Sequence, residues 1–190
     1  MKKDVFKKEI GYIRNSEYRE NAERLIELLP DYFFTVAASS TGKYHPKFAA
    51  LEGGLVRHTK VAVRIGYELL YSMIGDVFSP REKDLIILGL MLHDGLKHGK
   101  TLEKYTRFDH PILASEFVLE NQGKTTFNDE DIKFLADIIA SHMGPYNTNQ
   151  YSDVVLPKPK NKYQKFVHMC DLLASRKFLN VEFNGNEIID

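Results

Sequence analysis

Histidine and aspartate carry the chemistry in this chain. His58, His93, Asp94, His110, His142 and Asp171 all fall where helix faces are expected to be buried. An isolated buried carboxylate is costly or is driven to protonate, and unpaired imidazoles are also unfavourable in an apolar interior. One histidine on an apolar face reads as a hydrogen-bonded core residue. Five separate elements, each bringing such a group, read as ligands that share a cation, which removes the cost. Neutral imidazole and carboxylate suit Fe, Mn, Zn, Co or Ni, and the lack of thiolate partners argues against a structural cysteine-type zinc site. Neighbouring helix residues diverge by about 100°. His93 and Asp94, adjacent at a helix end, can thus approach one centre from two sides, or the carboxylate can serve two centres with its two oxygens.

The elements that must position these groups are helices. Apolar spacing predicts them from Ser16 to Leu29, about Leu55 to Ile74, Pro80 to His93, Pro111 to Asn121, Asn128 to His142 and about Lys160 to Leu179. His58 shares a stripe with Ala62, Ile65 and Leu69, and His93 follows Ile86, Gly89 and Leu90. His142 continues Ile132, Leu135 and Ile139, and Asp171 lies between Val167 and Ala174. Ser79 and His110 stand as caps before Pro80 and Pro111, where a helix start tolerates proline. Asn128 precedes an acidic first turn that the helix dipole favours. Residues 35–54 and Gly144 to Lys160 read as loops, and the tail after Asn180 as irregular. The fold class is all-α: a single helical bundle, with residues 1–50 a helix and loop packed on a core of 51–180, and 181–190 a tail.

Composition bounds the function. At 190 residues and 43% apolar content, a chain of this size buries roughly 70% of its unfolded surface and needs no staple. The 26 basic residues cancel the 26 acidic ones, which argues against bulk coating of nucleic acid. Cys170 alone allows no internal disulfide and fits a reducing compartment. No stretch reaches the ~18 apolar residues that span a bilayer, and the opening Met1-Lys2-Lys3-Asp4 lacks the apolar run of a signal peptide. A soluble, cytoplasmic protein with no membrane partner is expected.

The residues also carry a resemblance. His58, the pair His93-Asp94 and the distant Asp171 resemble the H…HD…D signature of the HD-domain metal-dependent phosphohydrolases, and His110 and His142 between them match the branch with two metals. The flanking segments Gly53-Gly54-Leu55-Val56-Arg57-His58-Thr59, His93-Asp94-Gly95-Leu96-Lys97 and Ser141-His142-Met143-Gly144 are similar to the HD domain of bacterial 3′-to-5′ exoribonucleases. Pro157-Lys158-Pro159-Lys160 is similar as well. Those nucleases carry an additional OB-type module that the residues before Leu51 do not match, so the substrate implied is short rather than long single-stranded RNA.

The resemblance implies an HD-type bundle over 51–180. It assigns His58, His93, Asp94 and Asp171 to one metal and His110 and His142 to a second, with Asp94 bridging. Two divalent cations, Fe or Mn foremost with Ni, Co or Zn as alternatives, would ionise a water and clamp a phosphoryl oxygen with no protein nucleophile. Asp94 and Lys97 are the catalytic candidates, because the family carries a lysine at this place. Lys97, Arg57, Arg176 and Lys43, the last in the hydroxyl-rich stretch Ser39 to His45, are the candidate substrate contacts. The expected activity is hydrolysis of a phosphoester in a nucleotide, dinucleotide or short oligonucleotide. Two other readings share the ligand set: a di-iron oxygenase, and a regulatory module that binds a nucleotide without turnover.

Overall fold

The computed structural model describes residues 1–40 and 45–189. Most of them lie in helices: α1 Lys7–Ile10, α2 Ser16–Leu28, α3 Gly54–Leu70, α4 Pro80–Leu92, α5 His110–Glu120, α6 Asp129–Ala140 and α7 Lys162–Ala174. An antiparallel hairpin, β1 Phe183–Asn184 and β2 Glu187–Ile188, forms the only sheet among the described residues. No described helix is long and apolar enough to cross a membrane.

Local chemistry sets most helix starts. Asn15 accepts from the Tyr18 N–H at 3.1 Å, Asn128 from Asp131 at 2.8 Å and Asn161 from Gln164 at 3.0 Å. Ser79 and Glu82 cap α4 reciprocally, with Pro80 in its first turn. These oxygens satisfy N–H groups that a helix start leaves without partners. His110 corrects the expectation that it caps α5. It is the first residue of that helix, Asp109 holds the cap position, and its Nδ1 lies 2.6 Å from the Arg107 carbonyl. A side chain already inside the first turn cannot reach forward to the N–H groups a cap would satisfy.

The core is built around α4. Leu85 through Leu92 are all buried, and the helix touches α2, α3, α6 and α7. A helix that is apolar on every side belongs in such a central place. Phe6, Ile10, Ile13, Leu25, Ile26 and Phe33 join the same hydrophobic cluster as Leu88 and Ile139, so the segment that carries them packs on the core. Asp84 of α4 fastens them further, accepting from the Arg14 and Asn15 N–H groups at 2.9 Å each.

Two segments differ from the sequence reading. Lys2–Ile10 forms a 3-10 turn running into α1, a piece too short to display helical spacing. The tail is a hairpin turning at Gly185, φ 60°, whose two-residue strands cannot show alternation. It docks on α3: Asn186 Oδ1 accepts from Arg57 at 3.1 Å, and Glu187 meets the fully buried Lys60 at 2.5 Å. Lys60 also lies 3.4 Å from buried Glu9.

Cys170 sits inside α7, where burial, and then the Asp171 charge, pushes its thiol pKa up. A thiol reagent at about pH 8 is expected to leave native protein unlabelled and to find this thiol only after denaturation. Labelling of the folded protein at the unfolded rate would contradict the packing of α7.

Candidate metal centre

The six histidines and aspartates come together from five elements. His58 lies in the second turn of α3, and Asp171 is late in α7. His93 terminates α4, with Asp94 next in the chain, while His110 opens α5 and His142 follows the end of α6. All are buried except Asp171, whose side chain is 17% exposed and forms the open side of the cluster.

Asp94 stands between two groups of candidate ligands. Its Oδ2 lies 3.6 Å from His58 Nε2 and 3.5 Å from His93 Nε2, whereas Oδ1 lies 3.1 Å from His110 Nε2 and 3.6 Å from His142 Nε2. Asp171 Oδ1 closes the first group at 3.0 Å from His58 and 3.5 Å from His93. Candidate ligand atoms lie within 4.8 Å of one another in three sets: His58, His93 and Asp94; His93, His142 and Asp171; and Asp94, His110 and His142.

Placement at helix ends fixes the tautomers. His93 Nδ1 lies 2.7 Å from Leu90 O, His110 Nδ1 2.6 Å from Arg107 O and His142 Nδ1 2.8 Å from Ile139 O. A carbonyl oxygen has two lone pairs, so Ile139 O can take the His142 ring as well as the His142 backbone N–H, which reaches it at 3.3 Å. A carbonyl only accepts, so each Nδ1 carries the hydrogen and each neutral ring turns a lone pair at Nε2 toward the cluster. His110 Nε2 and His142 Nε2 are nevertheless 3.1 Å apart. Two lone pairs at that distance repel unless a proton or a cation lies against them. His93 Nε2 and Asp94 Oδ1 are also buried without a hydrogen bond. The donor set of imidazole nitrogens and carboxylate oxygens, with unsatisfied atoms facing inward, fits divalent metal ions.

The electrostatics agree. Burial works against charge on Asp94, but Lys97, His93 and the remaining imidazoles hold its carboxyl well below the usual range. Burial likewise opposes ionised Asp171, and His58 and His93 outweigh it. Burial lowers the His58 and His110 pKa values, while on His93 the aspartates overcome burial and raise it. The buried Lys97 ammonium bonds directly to Asp94 Oδ2.

The other candidates are distributed less tightly. Arg57 gives its donors to Phe48 O at 2.5 Å, Glu52 O at 2.8 Å and Asn186 at 3.1 Å, tying α3 to its preceding turn and to the hairpin. Arg176 bonds Leu172 O at 3.1 Å and Ser175 Oγ at 2.9 Å. Lys43 lies outside the described residues.

Two further histidines pack beside the cluster. His168 Nδ1 lies 2.7 Å from His142 O, and its ring covers Gly144, which turns at φ 62° where a Cβ would meet the ring at 2.2 Å. It stands three residues before Asp171 in α7, one helical turn away. His45 lies edge-on to His58, with ring centroids 4.8 Å apart. No apolar periodicity marks His45, because it precedes Pro46 in an irregular segment.

No family model, curated protein or solved structure matches the chain.

Proposed function

We propose that this chain is an HD-type, dinuclear metal-dependent phosphohydrolase acting on a nucleotide, dinucleotide or short oligonucleotide. The observation that carries the reading is the division of labour at Asp94, with one oxygen facing His58 and His93 and the other facing the close pair His110 and His142. Asp171, His58 and His93 would hold one cation, and His110 and His142 the other. Iron or manganese is the favoured occupant, and the nucleotide class follows from the motif resemblance. When bound, such cations supply an ionised water and positive charge for phosphoryl oxygens.

The chain's own residues do the rest. Main-chain carbonyls keep three imidazoles presenting unprotonated Nε2 atoms. Lys97 keeps Asp94 ionised and oriented, and adds buried positive charge near the place where phosphate charge must be accommodated. Cys170 is sealed in α7 with its thiol pKa raised and offers no nucleophile.

A panel of phosphodiesters and phosphomonoesters, assayed with added Mn²⁺, Fe²⁺, Co²⁺ or Ni²⁺, tests the reading. Metal-dependent hydrolysis that a chelator abolishes is expected. Metal-loaded protein that hydrolyses nothing in the panel would overturn it, and oxygen uptake by an iron-loaded form would redirect the assignment to oxygenase chemistry.

A further inference from the structure

Lys97 is a flexible cation in a place that demands precision. Its ammonium bonds to Asp94 Oδ2, the oxygen that faces His58 and His93. A four-carbon stem holds such a head only as well as the backbone beneath it is held. That backbone lies in the irregular segment between α4 and α5, which turns at Gly99, φ 90°.

The peptide that joins Lys97 to His98 is gripped at both polar ends. Lys97 O accepts from the Arg107 N–H at 2.9 Å, and the His98 N–H donates to Tyr32 Oη at 3.3 Å. The same Tyr32 hydroxyl donates to Gly99 O at 2.6 Å, a buried bond between residues 67 apart in the chain. The Arg107 bond closes the segment on itself, as do Glu103 N–H to His98 O and His98 Nδ1 to Glu103 O, both at 2.9 Å. Tyr32 instead reaches it from the Asp31–Phe34 3-10 turn, which fully buried Phe33 anchors in the core. The Tyr32 ring is itself buried and meets the His98 ring edge-on, with centroids 5.9 Å apart.

We infer that Tyr32 is the positioning residue for Lys97: its hydroxyl clamps the His98 N–H and the Gly99 carbonyl, fixing the turn so that the Lys97 ammonium stays on Asp94. A hydroxyl suits the task because it donates and accepts at once. Groups at a reacting centre are held to the required precision by such supporting bonds. The placement stands on hydrogen bonds; its value to catalysis rests on the functional proposal, in which Lys97 steadies Asp94 and meets phosphate charge.

Amine acylation mapped by mass spectrometry tests the placement on metal-free protein and needs no substrate. In wild-type protein Lys97 is expected to react slowly, like fully buried Lys60 and unlike exposed Lys104. Tyr32→Phe keeps the ring and loses only the hydroxyl. It is expected to speed acylation of Lys97 about 5-fold or more, the change in local opening that one lost hydrogen bond brings, and to leave Lys60 slow. Gly99→Ala strains the left-handed turn without altering Tyr32 and is expected to act alike, which keeps the inference testable if Tyr32→Phe does not fold. A wild-type Lys97 as fast as Lys104, or a Lys97 still slow in either folded variant, would overturn the inference. Equal acceleration of Lys60 would do the same, because it marks general loosening. With Mn²⁺-loaded protein and bis(p-nitrophenyl) phosphate, Tyr32→Phe is expected to lower turnover by up to about 100-fold, the cost of a misplaced group, and to add nothing in a Lys97→Met background. Additive losses would contradict action through Lys97. Wild-type protein that hydrolyses nothing, with the acylation pattern as expected, would count against the functional proposal and leave Tyr32 as the clamp on Lys97.

Discussion

Asp94→Asn is expected to empty both halves of the centre at once. Asparagine keeps the shape of the side chain but removes the charge and replaces one oxygen by an N–H donor. Whichever way the amide is turned, a donor faces either Lys97 or the imidazoles of one group. A ligating carboxylate contributes more than the outer partners, whose loss alone costs about 10–100-fold, so turnover is expected to fall on the order of 10³-fold or more. His110→Ala, by contrast, touches one group only and is expected to spare metal binding by His58, His93 and Asp171. Metal per chain after dialysis, measured on the two variants beside wild type, separates these outcomes. Full metal retention and full activity in Asp94→Asn would show that the carboxylate is no ligand.

Gly54→Ala is expected to give a large loss of stability. An added Cβ would sit 2.3 Å from the Ala49 oxygen and 2.6 Å from its carbonyl carbon, backbone atoms that cannot rotate aside. The surrounding hydrogen bonds resist a shift: Ala38 N–H to Ala49 O at 3.0 Å, Gly53 N–H to Thr35 O at 2.9 Å and Leu55 N–H to Val36 O at 3.0 Å. Overpacking in a rigid place costs about 1–3 kcal/mol, and here the loss of neighbouring hydrogen bonds places the effect at about 3 kcal/mol or more. His58 lies one helical turn on, so metal affinity is expected to fall with stability. Gly123→Ala, with nothing within 4 Å of its Cβ, is the control and is expected to stay within about 0.5 kcal/mol of wild type. Urea unfolding of both variants checks the pair, and an unshifted midpoint for Gly54→Ala would contradict the packing of the Lys47–Ala49 turn on α3.

Apolar spacing made the main helices visible because each buries a continuous face, and polar residues intruding on those faces made the six clustered side chains visible too. Asn128 and Ser79 were legible for a related reason: capping is local chemistry between residues close in the chain. The tautomer locks were not legible, since they depend on which main-chain carbonyl the fold sets beside each ring. His110 shows this, reading as a cap while its ring is turned to Arg107 O. The engagement of Arg57 with Asn186, 129 residues away, is likewise invisible to spacing. The same holds for Lys60, which stands at a buried helix position and is matched by Glu9 and Glu187 from opposite ends of the chain.

The central claim is that these six side chains hold metal for phosphoester chemistry, and the most direct measurement is metal content per chain in protein purified without a histidine tag and supplied with Mn²⁺ or Fe²⁺. The account predicts about two ions per chain, removed together with phosphoester hydrolysis by a chelator and restored together on reloading. Protein that retains no metal under those conditions would return the histidines to a purely structural role and contradict the account.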